Sequence, residues 1–301
     1  MVDYFSELRN FSYTHKDKDL IIKLLMTGGI GNKSAAYLLY CHKKHEDSCG
    51  ELMGIRNKYH INKRLMKVII NDTLEQKICS LKKQLIRDKI SQIFFWEDDY
   101  PMLLKQTDDF PLILFIKGNQ KILNFPSLAV VGTRKVTSYG RQVTRKLVRE
   151  LIDYKYTIIS GCMYGVDEIA HQEVIDHNAN TVAVLGYGFN YVYPLRLKGL
   201  QKKIIDCGGC LVSEFFPDIK PSKWTFPQRN RIVAGMSLGV IVTQAAINSG
   251  THITVRFSLD AGREVFAVCG SIFDHYNDGT MFLVNQGAKL VSSGEDVVAE
   301  L

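Results

Sequence analysis

The sequence predicts a doubly wound α/β domain with a mostly parallel sheet, preceded by a small all-helical domain. Three observations carry that reading. From Ser127 onward, short apolar β-branched runs alternate with segments at helical spacing. Strands that are apolar throughout and separated by helices form a parallel sheet covered on both faces, an extended Rossmann-like architecture. The charge is also unevenly placed: residues 1–89 hold 17 Lys and Arg against 10 Asp and Glu, whereas residues 90–301 hold 21 of each. Finally, 301 residues at about 150 per domain suggest two domains. The expected division is 1–89 for the helical part and 90–301 for the α/β part.

Taken in order, Met1 to Lys18 is polar and charged, with no apolar h-region, so no signal peptide is expected. No run approaches the roughly 18 apolar residues of a membrane span. Seven cysteines lie at irregular positions, as expected of reduced thiols in a cytoplasmic protein. Cys207 and Cys210 form a lone CxxC, and without a second pair no zinc site is expected. Leu20 to Leu25 is apolar and leads into Thr27-Gly28-Gly29-Ile30-Gly31-Asn32-Lys33. Ala35, Ala36, Leu38 and Leu39 then follow at helical spacing. Two helices around a glycine turn resemble a helix–hairpin–helix, whose backbone N–H groups meet a phosphate; a plain turn inside a helical bundle fits the same residues. Leu52–Ile70 and Leu74–Ile86 continue the helical pattern. The basic excess here suggests a nucleic-acid partner or simply aids solubility.

Residues 90–125 read as a connector, with candidate strands at Ile93–Trp96 and Leu112–Ile116 and breaks at Tyr100-Pro101 and Phe110-Pro111. The expected strands of the α/β domain are Leu128–Gly132, Thr157–Ser160, Thr181–Leu185, Cys210–Glu214, Gly239–Thr243 and Glu264–Val268. The intervening helices are Tyr139–Tyr154, Val166–His177, Leu195–Asp206 and Ile253–Ala261.

Ligands of open α/β sheets bind beyond the carboxyl ends of the strands. One such end carries Gly132-Thr133-Arg134, and the next carries Ser160-Gly161 running to Gly165 and Asp167. A third loop holds Ser249-Gly250-Thr251 at a helix start. Small residues and free helix N–H groups make each loop ready for an anion. Between Lys223 and Arg231 bases and aromatics alternate, with Lys223, Trp224, Phe226, Arg229, Asn230 and Arg231 expected in a loop. Basic groups grip phosphates and aromatic faces stack unpaired bases, although a helix start with a Trp/Phe plug fits too.

Enzymatic signatures are weak. Leu185-Gly186-Tyr187-Gly188 lacks the third glycine of a dinucleotide fingerprint, and no GxxxxGK[ST] loop is present. Asp167, Glu214 and Asp260 are candidate carboxylates only if the fold gathers them, and His171 and His252 have no partner legible in sequence. A nucleotide hydrolase or phosphoribohydrolase would need a GGGxGTxxE run, which is absent. A nucleotide-sensing module using the same pocket is the other alternative.

Several motifs in fixed order resemble the DNA-processing protein A family (DprA, also called Smf). They are Gly132-Thr133-Arg134 with Tyr139-Gly140, Ser160-Gly161 with Gly165-Val166-Asp167 and Ala170-His171, and Tyr193-Pro194. Ser213-Glu214 with Pro217, Phe226-Pro227-Gln228-Arg229-Asn230-Arg231, Ser249-Gly250-Thr251, Gly262–Val268 and Gly287–Val291 complete the series. The match spans about residues 95–295, and residues 1–89 are similar to the family's variable sterile-alpha-motif-like or helix–hairpin–helix domain. The C-terminal winged helix of many members is not expected before Leu301. The resemblance implies a non-enzymatic protein without cofactor or metal. It would bind single-stranded DNA during natural transformation and competence, load the RecA recombinase for DNA recombination, and act as a homodimer. It implies DNA contacts at Gly132, Thr133, Arg134, Ser160, Gly161, Lys223, Phe226, Arg229, Asn230, Ser249, Gly250 and Thr251. Residues 281–292 are the expected dimer face. Tyr164 stands where the family usually has Arg, Gln244 where it has Glu, His252–Val255 where it has LITA, and Met281 where Asn is frequent.

Overall fold

The computed structural model describes residues 4–45 and 72–301. It divides into two compact units, one of Met1–Asp98 with Asp108–Ile113, the other of Asp99–Thr107 with Leu114–Leu301. The expected helix over Leu52–Ile70 lies outside the described residues.

The smaller unit contains helices α1 (Tyr4–Leu8), α2 (His15–Met26), α3 (Asn32–His45) and α4 (Asp72–Arg87), and strand β1 (Ser91–Phe94). Leu8, Ile21, Leu39 and Phe95 are fully buried. Phe110 packs its ring against Phe5 at 4.9 Å and Phe95 at 5.1 Å. Helix α2 starts where Asp17 Oδ2 accepts from the Thr14 N–H at 2.6 Å, an N-terminal box that satisfies otherwise unpaired donors. Asp17 also meets Lys43 at 3.0 Å with both side chains buried. Burial pushes its carboxyl up, but the Thr14 bonds and Lys43 outweigh that and hold it below the usual carboxylate range. The glycine turn joins α2 to α3 as the spacing predicts. Gly29 adopts φ +87°, where a side chain is strained. Asn32, opening α3, donates to the Phe110 carbonyl at 2.8 Å and accepts from the Leu112 N–H at 3.0 Å. Lys33 lies 3.7 Å from Asp109.

The larger unit contains α5 (Met102–Lys105), β2 (Ile113–Gly118, whose first residue falls in the smaller unit), β3 (Ser127–Val131), α6 (Ser138–Asp153), β4 (Thr157–Ser160) and α7 (Val166–Asp176). After β5 (Thr181–Val184), a 3-10 turn (Leu195–Leu197) precedes α8 (Lys198–Asp206). Next come β6 (Cys210–Ser213), α9 (Thr225–Gly235), β7 (Gly239–Val242) and α10 (Thr251–Asp260). The unit ends with β8 (Glu264–Ala267), α11 (Asp278–Asn285), β9 (Lys289–Leu290) and α12 (Gly294–Val298). Its strands lie in the order β2-β6-β5-β4-β3-β7-β8-β9. All these neighbours are parallel except β2 and β6, which run antiparallel with Phe115 opposite Ser213. The fold class expected from sequence is therefore the one observed.

Every residue of β3, β4, β5, β6 and β7 is buried. Successive side chains point to opposite faces, so both faces are covered, which is why these strands read as unbroken apolar runs. Leu128, Val130, Ile158 and Ile241 join Leu147 and Val148 of α6 and Ala170 and Val174 of α7 in one core cluster. A second cluster joins Cys162, Ala183, Leu185, Tyr187 and Leu211 to Leu200 and Ile204 of α8. Cys210 is buried in β6 and Cys207 half-buried before it. Among the described residues, no helix is long and apolar enough to cross a membrane.

Two sequence expectations need correction. Residues Lys223–Arg231 are not all loop: α9 begins at Thr225, so Phe226, Arg229, Asn230 and Arg231 are helical. Ser222 and Thr225 set this start by bonding each other's backbone and hydroxyl groups. The segment Leu195–Asp206 is likewise not one α-helix, since its first turn is 3-10.

Candidate nucleic-acid interface

The strand order reverses at β3, with β4 on one side and β7 on the other. Beyond the carboxyl ends of these strands lies a cavity of about 500 Å³, lined from the end of β3, the loops after β3 and β4, and helices α7, α9 and α10 with the segments before α9 and α10. Its place is the crevice that open α/β sheets use for ligands. Glycines let the loops crowd together there. Gly165 takes φ +82°, and a Cβ on it would lie 2.2 Å from the Thr133 carbonyl oxygen and 2.8 Å from Arg134 Cα. The Thr133 N–H donates to the Gln244 carbonyl at 2.7 Å, and the Thr133 carbonyl accepts from the Val166 N–H at 3.2 Å. The Arg134 loop is thus pinned between the end of β7 and the start of α7.

Gln244 is fully buried. Its Oε1 accepts from the Thr137 N–H at 3.0 Å and its Nε2 donates to Thr137 Oγ1 at 2.8 Å. Thr137 Oγ1 in turn accepts from the Gly140 N–H that opens α6. An amide can both donate and accept at these two atoms, so Gln244 is a framework residue of the loop.

The cavity gathers ten of the twelve residues expected from sequence: Gly132, Arg134, Gly161, Lys223, Phe226, Arg229, Asn230, Ser249, Gly250 and Thr251. It does not include Thr133 or Ser160 in its lining. Ser160 is fully buried and donates to the Val130 carbonyl at 2.7 Å. Arg134 is exposed, and its guanidinium carbon sits 5.9 Å from the Phe226 ring centre, a cation–π arrangement. The Lys223 ammonium lies 4.8 Å over the Trp224 ring. Gly186 makes room for this wall, since its Cβ would meet Phe226 Cδ1 at 2.8 Å; the incomplete glycine motif therefore serves packing. At the start of α10, Ser249 Oγ accepts from the Thr251 N–H at 3.2 Å.

Arg229 is 4% exposed and donates from Nη1 to the Val184 carbonyl at 3.0 Å. Gly161 is the residue that admits it, because a Cβ there would fall 1.7 Å from Nη1. Burial pulls the Arg229 pKa down, and the nearby Asp167 carboxylate opposes that. Burial pushes Asp167 up, with Arg229 and Arg134 acting in the other direction. Arg231 is bound to Glu214 and both side chains are nearly buried, so it braces α9 against the end of β6. Of the three candidate carboxylates, Asp167 alone lines the cavity. Asp260 is exposed beside Arg256. His252 Nε2 lies 3.3 Å from the Ala246 carbonyl.

Val131, Met163, Tyr164, Asp167, Pro227, Val233, Ile253 and Thr254 also line the cavity, outside the twelve contacts expected from sequence. Most lie within three residues of a predicted one, so proximity to the strand ends was the available signal.

The profile of the DNA recombination-mediator protein A family matches residues 91–301. The chain belongs to that family. It is 42% identical over 204 residues to the DNA processing protein DprA of Streptococcus pneumoniae, covering 68% of this chain and 72% of that protein. It is 41% identical over 202 residues to the protein Smf of Escherichia coli, covering 67% of this chain and 54% of that protein. The X-ray structure of the Streptococcus pneumoniae protein superposes with a TM-score of 0.75 at 31% identity, over 100% of this chain and 98% of that one. A Helicobacter pylori DNA processing protein A, described for its single-stranded DNA binding mode, superposes with a TM-score of 0.63 at 28% identity, over 70% and 95% of the two chains.

Proposed function

We propose that this family member binds single-stranded DNA in the cavity beyond β3, β4 and β7, as a non-enzymatic mediator that loads RecA onto DNA entering during natural transformation. The carrying observation is Arg134, exposed over the Phe226 ring on the cavity wall with Lys223 on the same rim. Neither Arg134 nor Lys223 makes a salt bridge among the described residues, so both charges remain for phosphates. The family relationship and the single-stranded DNA bound by the Helicobacter pylori relative support the same reading. In this reading residues 1–89 add a secondary basic contact, residues 281–292 form a homodimer face, and the protein works in the cytoplasm.

Gel-shift titration of the full chain tests it. Arg134→Ala and Lys223→Glu are each expected to weaken binding about tenfold to a hundredfold, as loss of a hydrogen bond to a charged group does. Affinity should fall with salt, with a slope of about −0.7 per phosphate neutralised, and Arg134→Ala should flatten it by about that amount. Wild-type affinity in both variants, or an affinity indifferent to salt, refutes the assignment.

A further inference from the structure

We infer that Tyr164 and Arg196 form a second base-stacking step beside Phe226, and that it takes an unpaired base rather than a phosphate. The inference rests on the reading that the cavity binds single-stranded DNA. Tyr164 lines the cavity from the loop between β4 and α7 and is partly exposed. Arg196, on the 3-10 turn before α8, holds its guanidinium carbon 4.5 Å from the Tyr164 ring centre. Its Nη2 donates to Glu168 Oε2 at 2.9 Å, from the first turn of α7. An arginine side chain that is 67% exposed is thus held from two sides, by a ring and by a carboxylate.

The chemistry of this pair differs from that of Arg134. The Arg196 charge is matched by Glu168, whereas Arg134 makes no salt bridge among the described residues. What Tyr164 and Arg196 offer is planar surface, and tyrosine rings and guanidinium planes both stack unpaired bases. The platform is firmly mounted: Tyr164 and Phe226 both pack on the cluster that contains Cys162, Leu185 and Tyr187. Gly165 follows directly, in a conformation that closes the loop against Thr133. Two aromatic surfaces thus rest on one buried floor, Phe226 with Tyr193 at 5.5 Å and Tyr164 with Arg196 at 4.5 Å. A strand whose phosphates meet Arg134 and Lys223 finds the rings of Phe226 and Tyr164 in the lining of the same cavity.

Fluorescence anisotropy separates stacking from charge and from packing. The probes are labelled oligothymidylate and the same oligonucleotide with a run of abasic sites, each titrated with wild type, Tyr164→Leu, Tyr164→Phe and Arg134→Ala. Tyr164→Leu is expected to weaken oligothymidylate binding by about fivefold to a hundredfold, the usual effect of losing one stacked base. Its salt slope should equal that of wild type, and Tyr164→Phe should bind normally. On the abasic probe wild type and Tyr164→Leu should bind alike. Equal binding of oligothymidylate by wild type and Tyr164→Leu overturns the inference, as does an equal loss on both probes, which a purely structural role would give. If the wild type binds and Arg134→Ala weakens it while Tyr164→Leu does not, the stacking step alone fails. If the wild type binds neither probe, the DNA-binding reading fails with it.

Discussion

Gly165→Ala is expected to destabilise the protein by about 2–5 kcal/mol and to abolish most of its binding to single-stranded DNA. Gly165 sits at φ +82° and ψ −125°, outside the left-handed helical well that already costs an L-residue about 1–2 kcal/mol, so a Cβ there costs at least that much. The added carbon would also lie 2.2 Å from the Thr133 carbonyl oxygen and 2.8 Å from Arg134 Cα. These are backbone atoms, so no rotamer change relieves the overlap, and forced backbone shifts cost about 1–3 kcal/mol more. The shift falls on the loop that carries Arg134 and on the hydrogen bond between the Val166 N–H and the Thr133 carbonyl. Gly262 provides the comparison: it takes φ +65°, but nothing among the described residues lies within 4 Å of its Cβ position. Gly262→Ala should show the conformational strain alone and leave DNA binding intact. Denaturant unfolding and anisotropy on both variants measure the difference. Equal losses would show that the close approach at Gly165 is not what holds the Arg134 loop.

The same residue illustrates what the sequence made legible. Gly161 and Gly165 at a strand end announce a close backbone approach, and the unbroken apolar runs of β3 to β7 announce a doubly covered parallel sheet. Both follow from local chemistry. The start of α9 was harder, because Lys223 to Arg231 alternates bases and aromatics at no clear helical period, and the mutual bonds of Ser222 and Thr225 decide where the helix begins. Arginine usually stays at the surface, so nothing local in Arg229 foretells that it is buried against Val184 in the space Gly161 leaves. Nor does sequence pair Arg231 with Glu214, 17 residues away, or place Arg196 over Tyr164. These are tertiary contacts, fixed by strand order rather than by spacing along the chain. The N-terminal basic excess suggests a nucleic-acid partner or simply aids solubility, but Arg134 and Lys223, exposed cations of the cavity that make no salt bridge among the described residues, belong to the part of the chain whose charges sum to zero.

Protein stability should also fall as pH drops below 6.5, with His171 as a principal cause. His171 lies fully buried on α7. Thr181 Oγ1 donates to the Ile158 carbonyl at 2.8 Å, so at its 2.7 Å contact with His171 it accepts from Nδ1–H. That assigns the neutral tautomer with Nε2 bare, and Nε2 has no hydrogen-bond partner among the described residues. Burial, and secondarily the Arg229 charge, pull the imidazole down from 6.5 to about 3. The folded state therefore binds this proton less readily than the unfolded chain does. The contribution of neutral His171 is complete above pH 6.5 and is lost as pH falls toward about 3, by about 1.4 kcal/mol per pH unit inside that window. Asp17 adds loss in the same direction at lower pH, because its folded pKa is depressed. Asp167, whose folded pKa is raised, acts in the opposite sense. His171→Asn isolates the histidine, since its amide can still donate to Thr181 but does not titrate. At pH 7 the variant should be less stable than wild type, having lost ring packing. Its unfolding free energy should then decline less steeply, so that the two curves converge between pH 6.5 and about 4.5, where the separation shrinks by about 2–3 kcal/mol. Because Asp17 and Asp167 are present in both proteins, their titrations cancel in the difference to first order. Parallel curves across that range would mean that His171 accepts its proton in the folded state, and that Arg229 and the surrounding core do not exclude a second cation.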